Sequence, residues 1–174
     1  VGVYRGVFSR QFIRLLERGT HYLVDPWVQQ VDNEDVVNYH YTGNDTIHSD
    51  AMNAVREYGS RVVALHSTSV DASALFPDAS VDLVYIDAQH GYYNCMLDMR
   101  LWWHKLKPGG IFSGHDYDCF AGVSNAVDEF SRKMNLTVYF TNSFDYTFYD
   151  PYSHSYISDA NMDIATCKSW FLFK

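Results

Sequence analysis

Short runs rich in Val, Leu and Ile alternate along this chain with longer runs spaced for helices. Strands that each return through a helix come to lie parallel in one sheet, with helices covering both faces. The clearest strand is Val81–Ile86, which runs straight into Asp87. Phe8, Phe12, Leu15 and Leu16 recur with helical spacing and predict a first helix, stopped by Gly19. His21–Val24 then reads as a strand, Ser49–Tyr58 as a helix and Val62–Leu65 as a strand. Beyond Ile86 a long helix carries Met96, Met99, Trp103 and Leu106 on one face, and Pro108-Gly109-Gly110 reads as a turn. A strand at Ile111–Ser113, a helix marked by Val123, Ala126, Val127 and Phe130, and strands near Leu136–Phe140 and Ser169–Phe173 complete the pattern. Residues 28–48 are polar and without period, so they read as a loop.

No repeat and no linker divides the chain, so residues 1–174 are expected to form one domain, large enough for a proper core. The net charge of −8 and the lack of any Lys/Arg run argue against a nucleic-acid partner. No apolar stretch reaches the ~20 residues that span a bilayer, so no membrane partner is expected. Val1 is not an initiator Met, and the first strand is largely missing ahead of Gly2, so the chain reads as N-terminally truncated. Three cysteines, Cys95, Cys119 and Cys167, give neither a zinc signature nor a disulfide framework. A reducing, cytoplasmic setting is then the default, against which stand two glycosylation-type sequons at Asn44 and Asn135.

Ligands of open α/β sheets bind at the carboxyl ends of the strands, and here every such end is polar. The first exit is Gly2-Val3-Tyr4-Arg5-Gly6, and the second ends in Asp25. The third ends in His66-Ser67-Thr68-Ser69, the fourth in Asp87-Ala88-Gln89-His90, and the fifth in His115-Asp116. Gly2 and Gly6 bracket a turn into a helix N-terminus, where a missing side chain lets backbone approach a ligand. Asp25, about twenty residues on, sits where a carboxylate accepts hydrogen bonds from ribose hydroxyls; a turn-capping Asp is the alternative. A dinucleotide fingerprint wants a glycine where this chain has Tyr4, which counts against a nucleotide-dependent oxidoreductase.

Gly2-Val3-Tyr4-Arg5-Gly6-Val7-Phe8-Ser9, Tyr22-Leu23-Val24-Asp25-Pro26-Trp27 and Val84-Tyr85-Ile86-Asp87-Ala88-Gln89-His90 together resemble class I S-adenosylmethionine (SAM)-dependent methyltransferases. So do Leu106-Lys107-Pro108-Gly109-Gly110 and Gly114-His115-Asp116-Tyr117, and the likeness is greatest to methyltransferase family 24. The resemblance implies a doubly wound, Rossmann-like, seven-stranded, mostly parallel sheet whose last strand is antiparallel. It implies SAM as cofactor, held by Gly2, Val3, Tyr4, Gly6, Ser9, Asp25, Trp27, Ser69 and Asp87. Relatives often carry Gly-Asp-Ser where this chain has Ser67-Thr68-Ser69, and an acidic residue two positions before Gly2.

Likeness to catechol-type O-methyltransferases implies a metal set of Asp87, His115 and Asp116. Oxygen ligands suit Mg²⁺ or Ca²⁺, and a histidine shifts the preference toward Mn²⁺, Fe²⁺ or Zn²⁺. A metal-free pocket in which His115 serves as base is the alternative. His90 matches the position of their acceptor-deprotonating base, so the catalytic expectation is His90, Asp87 and His115. The expected reaction is methyl transfer to a small-molecule acceptor, most simply a hydroxyl. An inactive SAM- or nucleotide-binding module is a rival reading, and a homo-oligomer is left open. The aromatic fraction is 17%, and Tyr146, Phe148, Tyr149, Tyr152 and Tyr156 crowd residues 144–163, which are expected to form an acceptor wall or a dimer interface.

Overall fold

Leu23 and Val24 are neighbours in sequence, and they enter two different cores. Successive side chains on a strand point to opposite faces, so a sheet with apolar residues at both positions must be covered on both sides. The computed structural model describes residues 1–30, 38, 40, 46–141, 148–150, 155–157 and 167–174, with 148–150 and 155–157 as backbone. In chain order the elements are α1 (Val7–Leu15), β1 (His21–Asp25), α2 (Thr46–Val55), a 3-10 turn (Arg56–Arg61), β2 (Val62–His66) and α3 (Ser69–Ser73). Then come β3 (Val81–Ile86), α4 (Tyr92–Lys105), β4 (Leu106–Gly114), α5 (Ala121–Met134), β5 (Tyr139–Phe140), β6 (Phe148–Asp150), β7 (Ser155–Ile157) and β8 (Trp170–Phe173).

On one face, Ile13 of α1 and Ile47, Ala51 and Val55 of α2 pack with Leu23 and Trp27. On the other, α4 and α5 bring Met96, Met99, Trp102, Trp103, Val127 and Phe130 against Val24, Val84, Ile86, Phe112, Trp170 and Leu172. Trp102 and Trp103 are packing residues, 3% and 8% exposed.

β1 pairs with β2 in parallel, and β3 with β4 in parallel. β8 lies antiparallel between β4 and β5, as expected of the last strand. The two sheets meet through Val1 and Gly2. Val1 donates its N–H to the Tyr85 carbonyl and accepts from Asp87 N–H, both at 2.8 Å, while Gly2 donates to the Val24 carbonyl at 2.9 Å. The result is an α/β fold with a mixed sheet of six strands among the described residues, one short of the seven expected. Only a two-residue piece of backbone occupies the place between β1 and β3.

Other differences have local causes. The Pro108–Gly110 turn is a bulge inside β4: Val81 pairs with Leu106 but Leu83 already pairs with Ile111. Gly109, at φ 79°, supplies the left-handed residue this needs. Helix α2 starts at Thr46, three residues before the expected Ser49. Helix α3 was not expected; Thr68 caps it by accepting the Asp71 N–H. The strand expected near Leu136–Phe140 shrinks to two residues, and β6 pairs antiparallel with β7, a pairing the sequence does not announce. The rest of residues 144–163, Tyr146 and Tyr152 included, lies outside the described residues.

The cysteine reading needs correction: Cys119 and Cys167 form a disulfide, with Cα atoms 5.7 Å apart. The two are 48 residues apart, so nothing in their local spacing marks them as a pair. Cys95 is a buried free thiol. No described helix is long and apolar enough to cross a membrane.

Candidate active site

The turn after Val1 is built from left-handed residues. Gly2, Tyr4 and Gly6 have φ of 79°, 52° and 75°. A Cβ on Gly2 would lie 1.6 Å from the Asp87 carbonyl oxygen, so no other residue fits there. Tyr4 accepts a conformation that disfavours side chains, and its N–H is held in return by a carboxylate. Asp25 Oδ2 accepts from Val3 N–H at 2.8 Å and from Tyr4 N–H at 3.0 Å, while Oδ1 accepts from Trp27 N–H at 2.7 Å. A carboxylate has about four acceptor positions, so three backbone donors leave Asp25 about one for a ligand. The residue expected to hold ribose is thus also the clamp on the glycine turn.

This turn forms one wall of a cavity of about 450 Å³ at the carboxyl ends of the strands. Gly2, Val3, Tyr4, Ser9, Asp25, Ser69, Asp87, His90, His115 and Asp116 all line it, so most of the expected site residues converge. Gly6 and Trp27 do not. Gly6 packs against Ala51, whose Cα would lie 3.1 Å from an added Cβ. Trp27 is buried, donating its indole N–H to the Tyr4 carbonyl and lying against His48. Both shape the turn from behind.

At the ends of β3 and β4 the cavity is ionisable. Asp116, at φ 63° and 3% exposed, holds one carboxylate between two imidazoles. His90 Nε2 lies 2.9 Å from its Oδ2, and His115 Nδ1 lies 3.0 Å from its Oδ1. The His90 ring also stacks on Phe120 at 4.0 Å between centroids. Burial opposes charge on Asp116, but the imidazoles of His115 and His90 beside it outweigh that and hold this carboxyl well below the usual range. Burial likewise opposes charge on His115, and the nearby carboxylates of Asp116 and Asp87 raise its pKa nonetheless. Asp87 moves the other way: burial, then repulsion from Asp116, pushes it up to about 6.

Two carboxylates facing one cavity suit a cation. Ligand atoms of Asp87, His90 and Asp116 lie within 4.8 Å of one another, a mixed oxygen–nitrogen set suited to a divalent ion. The resemblance had put His115, not His90, in that set. His115 instead approaches the far oxygen of Asp116. A second group, Asp116 with Cys119 and Cys167, has its sulfurs committed to the disulfide.

One polar wall residue escaped the sequence reading. Asp98, in the middle of α4, is buried yet lines the cavity beside Ser69. An Asp inside a helical apolar pattern was its only trace.

A glycine-bracketed turn and carboxylates at the ends of β1, β3 and β4 thus surround one cavity of an α/β sheet. The family model Methyltransf_24, a methyltransferase domain, matches residues 1–117, and the chain belongs to that family, whose class is the SAM-dependent methyltransferases. No curated protein sequence gives a match. Among solved structures the chain is similar to the O-methyltransferase NovP, with 14% identity, all of this chain and 69% of that one covered, and a TM-score of 0.62. It is similar to the O-methyltransferase from Bacillus cereus in complex with S-adenosylhomocysteine (SAH), at 10% identity, 99% and 71% coverage and a TM-score of 0.59. A Clostridium thermocellum protein described as an rRNA-methylase also has 10% identity and a TM-score of 0.59, with 99% and 85% coverage. At these identities the structures speak for the fold.

Proposed function

We propose that this chain methylates a hydroxyl of a small-molecule acceptor. The observation that carries this reading is the Asp87–His90–His115–Asp116 constellation, which lines the same cavity as the Gly2–Gly6 turn and Asp25. The residues suit SAM. The cavity falls in the ~300–1,000 Å³ range of small-ligand sites, and Phe8, Val28, Val70 and Leu97 leave apolar surface exposed around it. We further read Val1 and Gly2 as the end of a central strand, which makes the sheet seven-stranded within a single domain.

When bound, SAM supplies an electrophilic methyl group on a sulfonium. The protein's part is to position the acceptor and to remove its proton. One of the two imidazoles beside Asp116, His90 or His115, is the group we assign to take that proton from an acceptor hydroxyl. Asp116 keeps its charge across the physiological range and stabilises the imidazolium that results. The other imidazole shares the opposite oxygen of Asp116 and fixes that carboxylate. Phe120, stacked on His90, shields the pair from water on one side. A divalent ion held by Asp87 and Asp116 with His90 or His115 would polarise the acceptor oxygen instead, leaving the other histidine as base.

NovP and the Bacillus cereus protein, both O-methyltransferases, support the oxygen acceptor. The Clostridium thermocellum protein keeps an RNA acceptor as the second reading, and the net charge of −8 opposes it.

Calorimetry with SAM, SAH and NAD tests the reading directly. SAM and SAH should bind and NAD should not. Binding of NAD alone overturns the reading in favour of an oxidoreductase. Binding of SAH with no methylation of any hydroxylated acceptor leaves a cofactor-binding module.

A further inference from the structure

Two observations that no step above uses point to the same cellular history. The first is the disulfide. Cys119 stands in the loop before α5 and Cys167 shortly before β8, with Cα atoms 5.7 Å apart, a spacing at which a disulfide forms without moving the backbone. The surrounding chain holds that spacing. Tyr117 donates its N–H to the Lys168 carbonyl at 3.1 Å, and Lys168 donates its own to Asp118 Oδ1 at 2.7 Å. Disulfides persist where the surroundings are oxidising. The remaining cysteine fits such surroundings: Cys95 is buried, and burial pushes its thiol up to about 12, so it is inert.

The second observation is Asn135-Leu136-Thr137, an acceptor triplet for N-linked glycans. It lies in the connection between α5 and β5. Leu136 packs against the core, while Asn135 and Thr137 on either side of it are exposed. Asn135 is the C-cap of α5, with φ 54° and ψ 47°, and its N–H bonds to the Arg132 carbonyl at 3.3 Å. Asparagine suits that left-handed cap, but a cap makes no demand on residue 137. Two exposed groups, an amide and a hydroxyl two residues on, are what a glycan transferase requires. Helix α5 starts beside Phe120 on the cavity wall, and its 14 residues run about 21 Å to the cap. A bulky group on Asn135 therefore stands clear of the cavity. The other triplet, at Asn44, lies outside the described residues.

We propose that Asn135 carries an N-linked glycan, added in the oxidising compartment in which Cys119 and Cys167 become joined. The donor is of the polyprenyl diphosphate–oligosaccharide class. The Asn135 amide nitrogen bonds to the anomeric carbon of the first sugar and loses one proton. The bond from that carbon to the diphosphate breaks, and the polyprenyl diphosphate leaves. The Cys119–Cys167 bridge forms by exchange with a protein disulfide, which takes up the two electrons and two protons of the thiols. The cytoplasmic setting expected from the number and spacing of the cysteines gives way on this reading.

The test is peptide mapping of the protein from its own cells, with thiols blocked at lysis. Peptide N-glycosidase should convert Asn135 to Asp, and alkylation after unfolding should mark Cys95 alone. An unmodified Asn135 before treatment overturns the proposal, and so does alkylation of both Cys119 and Cys167. The unaltered chain made in a eukaryotic secretory pathway should show a gel shift that the glycosidase removes. Asn135→Gln and Thr137→Ala should lose that shift, and Thr137→Ser should keep it. A shift retained in Asn135→Gln places the glycan on Asn44 and overturns the assignment.

Discussion

Two carboxylates at strand ends, Asp25 and Asp116, are both buried, and they do different work. Asp25, at the end of β1, spends three acceptor positions on backbone N–H groups of its own turn and the neighbouring one. Asp116, beyond β4, has imidazoles as its partners. Backbone donors do not titrate, so the Asp25 side of the cavity is a fixed cradle. Imidazoles do titrate near neutral pH, so the Asp116 side can move protons. The same residue type in similar burial becomes a clamp or part of a proton relay according to what donates to it.

The comparison breaks first at Asp116. Asn tolerates the left-handed backbone there, so Asp116→Asn should fold. Its kcat should drop about a hundredfold or more, the scale of general acid–base catalysis, while SAH affinity changes little. An equal loss of both would mean that Asp116 is as much a clamp as Asp25.

The disulfide lies on the Asp116 side, since Cys119 falls between Asp116 and Phe120 in the same loop. Reduction, or Cys119→Ser, should lower stability by about 2–4 kcal/mol, read from urea melts, and should depress kcat more than SAH binding. A variant with unchanged stability would show that the loop is held without its cross-link.

Asp25→Ala strands three backbone donors and loosens the glycine turn. Stability should fall by about 2–3 kcal/mol, and SAH should bind about tenfold more weakly. Full stability with only the affinity reduced would make Asp25 a ligand contact and not a clamp.

The smallest effect concerns Asp87. Its pKa is raised in the folded chain to about 6, so the native state keeps a proton that the unfolded state has already lost. The stability linked to it is therefore present at low pH and is lost as pH rises through about 6. Asp116 is lowered, and its contribution is lost as pH falls below the ordinary carboxylate range. Asp87→Asn should thus stabilise the metal-free protein at pH 8 by about 1–2 kcal/mol and flatten the loss near pH 6. Mg²⁺ or Mn²⁺ should raise the Tm of the unaltered chain at pH 8 and leave Asp87→Asn unmoved. An identical rise in both would place the ion elsewhere.

Much of this was legible in the sequence, and the reasons are local. Val81–Ile86 is a strand because its residues favour one, and Asp87 ends it wherever the chain folds. Gly2 and Gly6 marked a turn that only glycines could make so tightly. The helical spacing of Phe8 and Phe12, and of Val123, Ala126, Val127 and Phe130, announced α1 and α5. Where the signal depended on partners far along the chain, the reading slipped. Pro108–Gly110 looked like a turn between elements, and only pairing with β3 makes it a bulge within β4.

By itself, then, the sequence determined the α/β alternation, the polar strand ends, and so which residues could meet at one edge of the sheet. Period and turn chemistry act over a few residues, and they survive any arrangement of the rest. Tertiary structure alone decided who meets whom. It set His90 and His115 on opposite oxygens of Asp116, joined Cys119 to Cys167 across 48 residues, and turned Asp25 into a clamp. It also put Asp98 on the cavity wall, because an i, i+4 pattern places a residue on a helix face while the packing of α3 against α4, through Trp102 and Ser69, decides what that face sees.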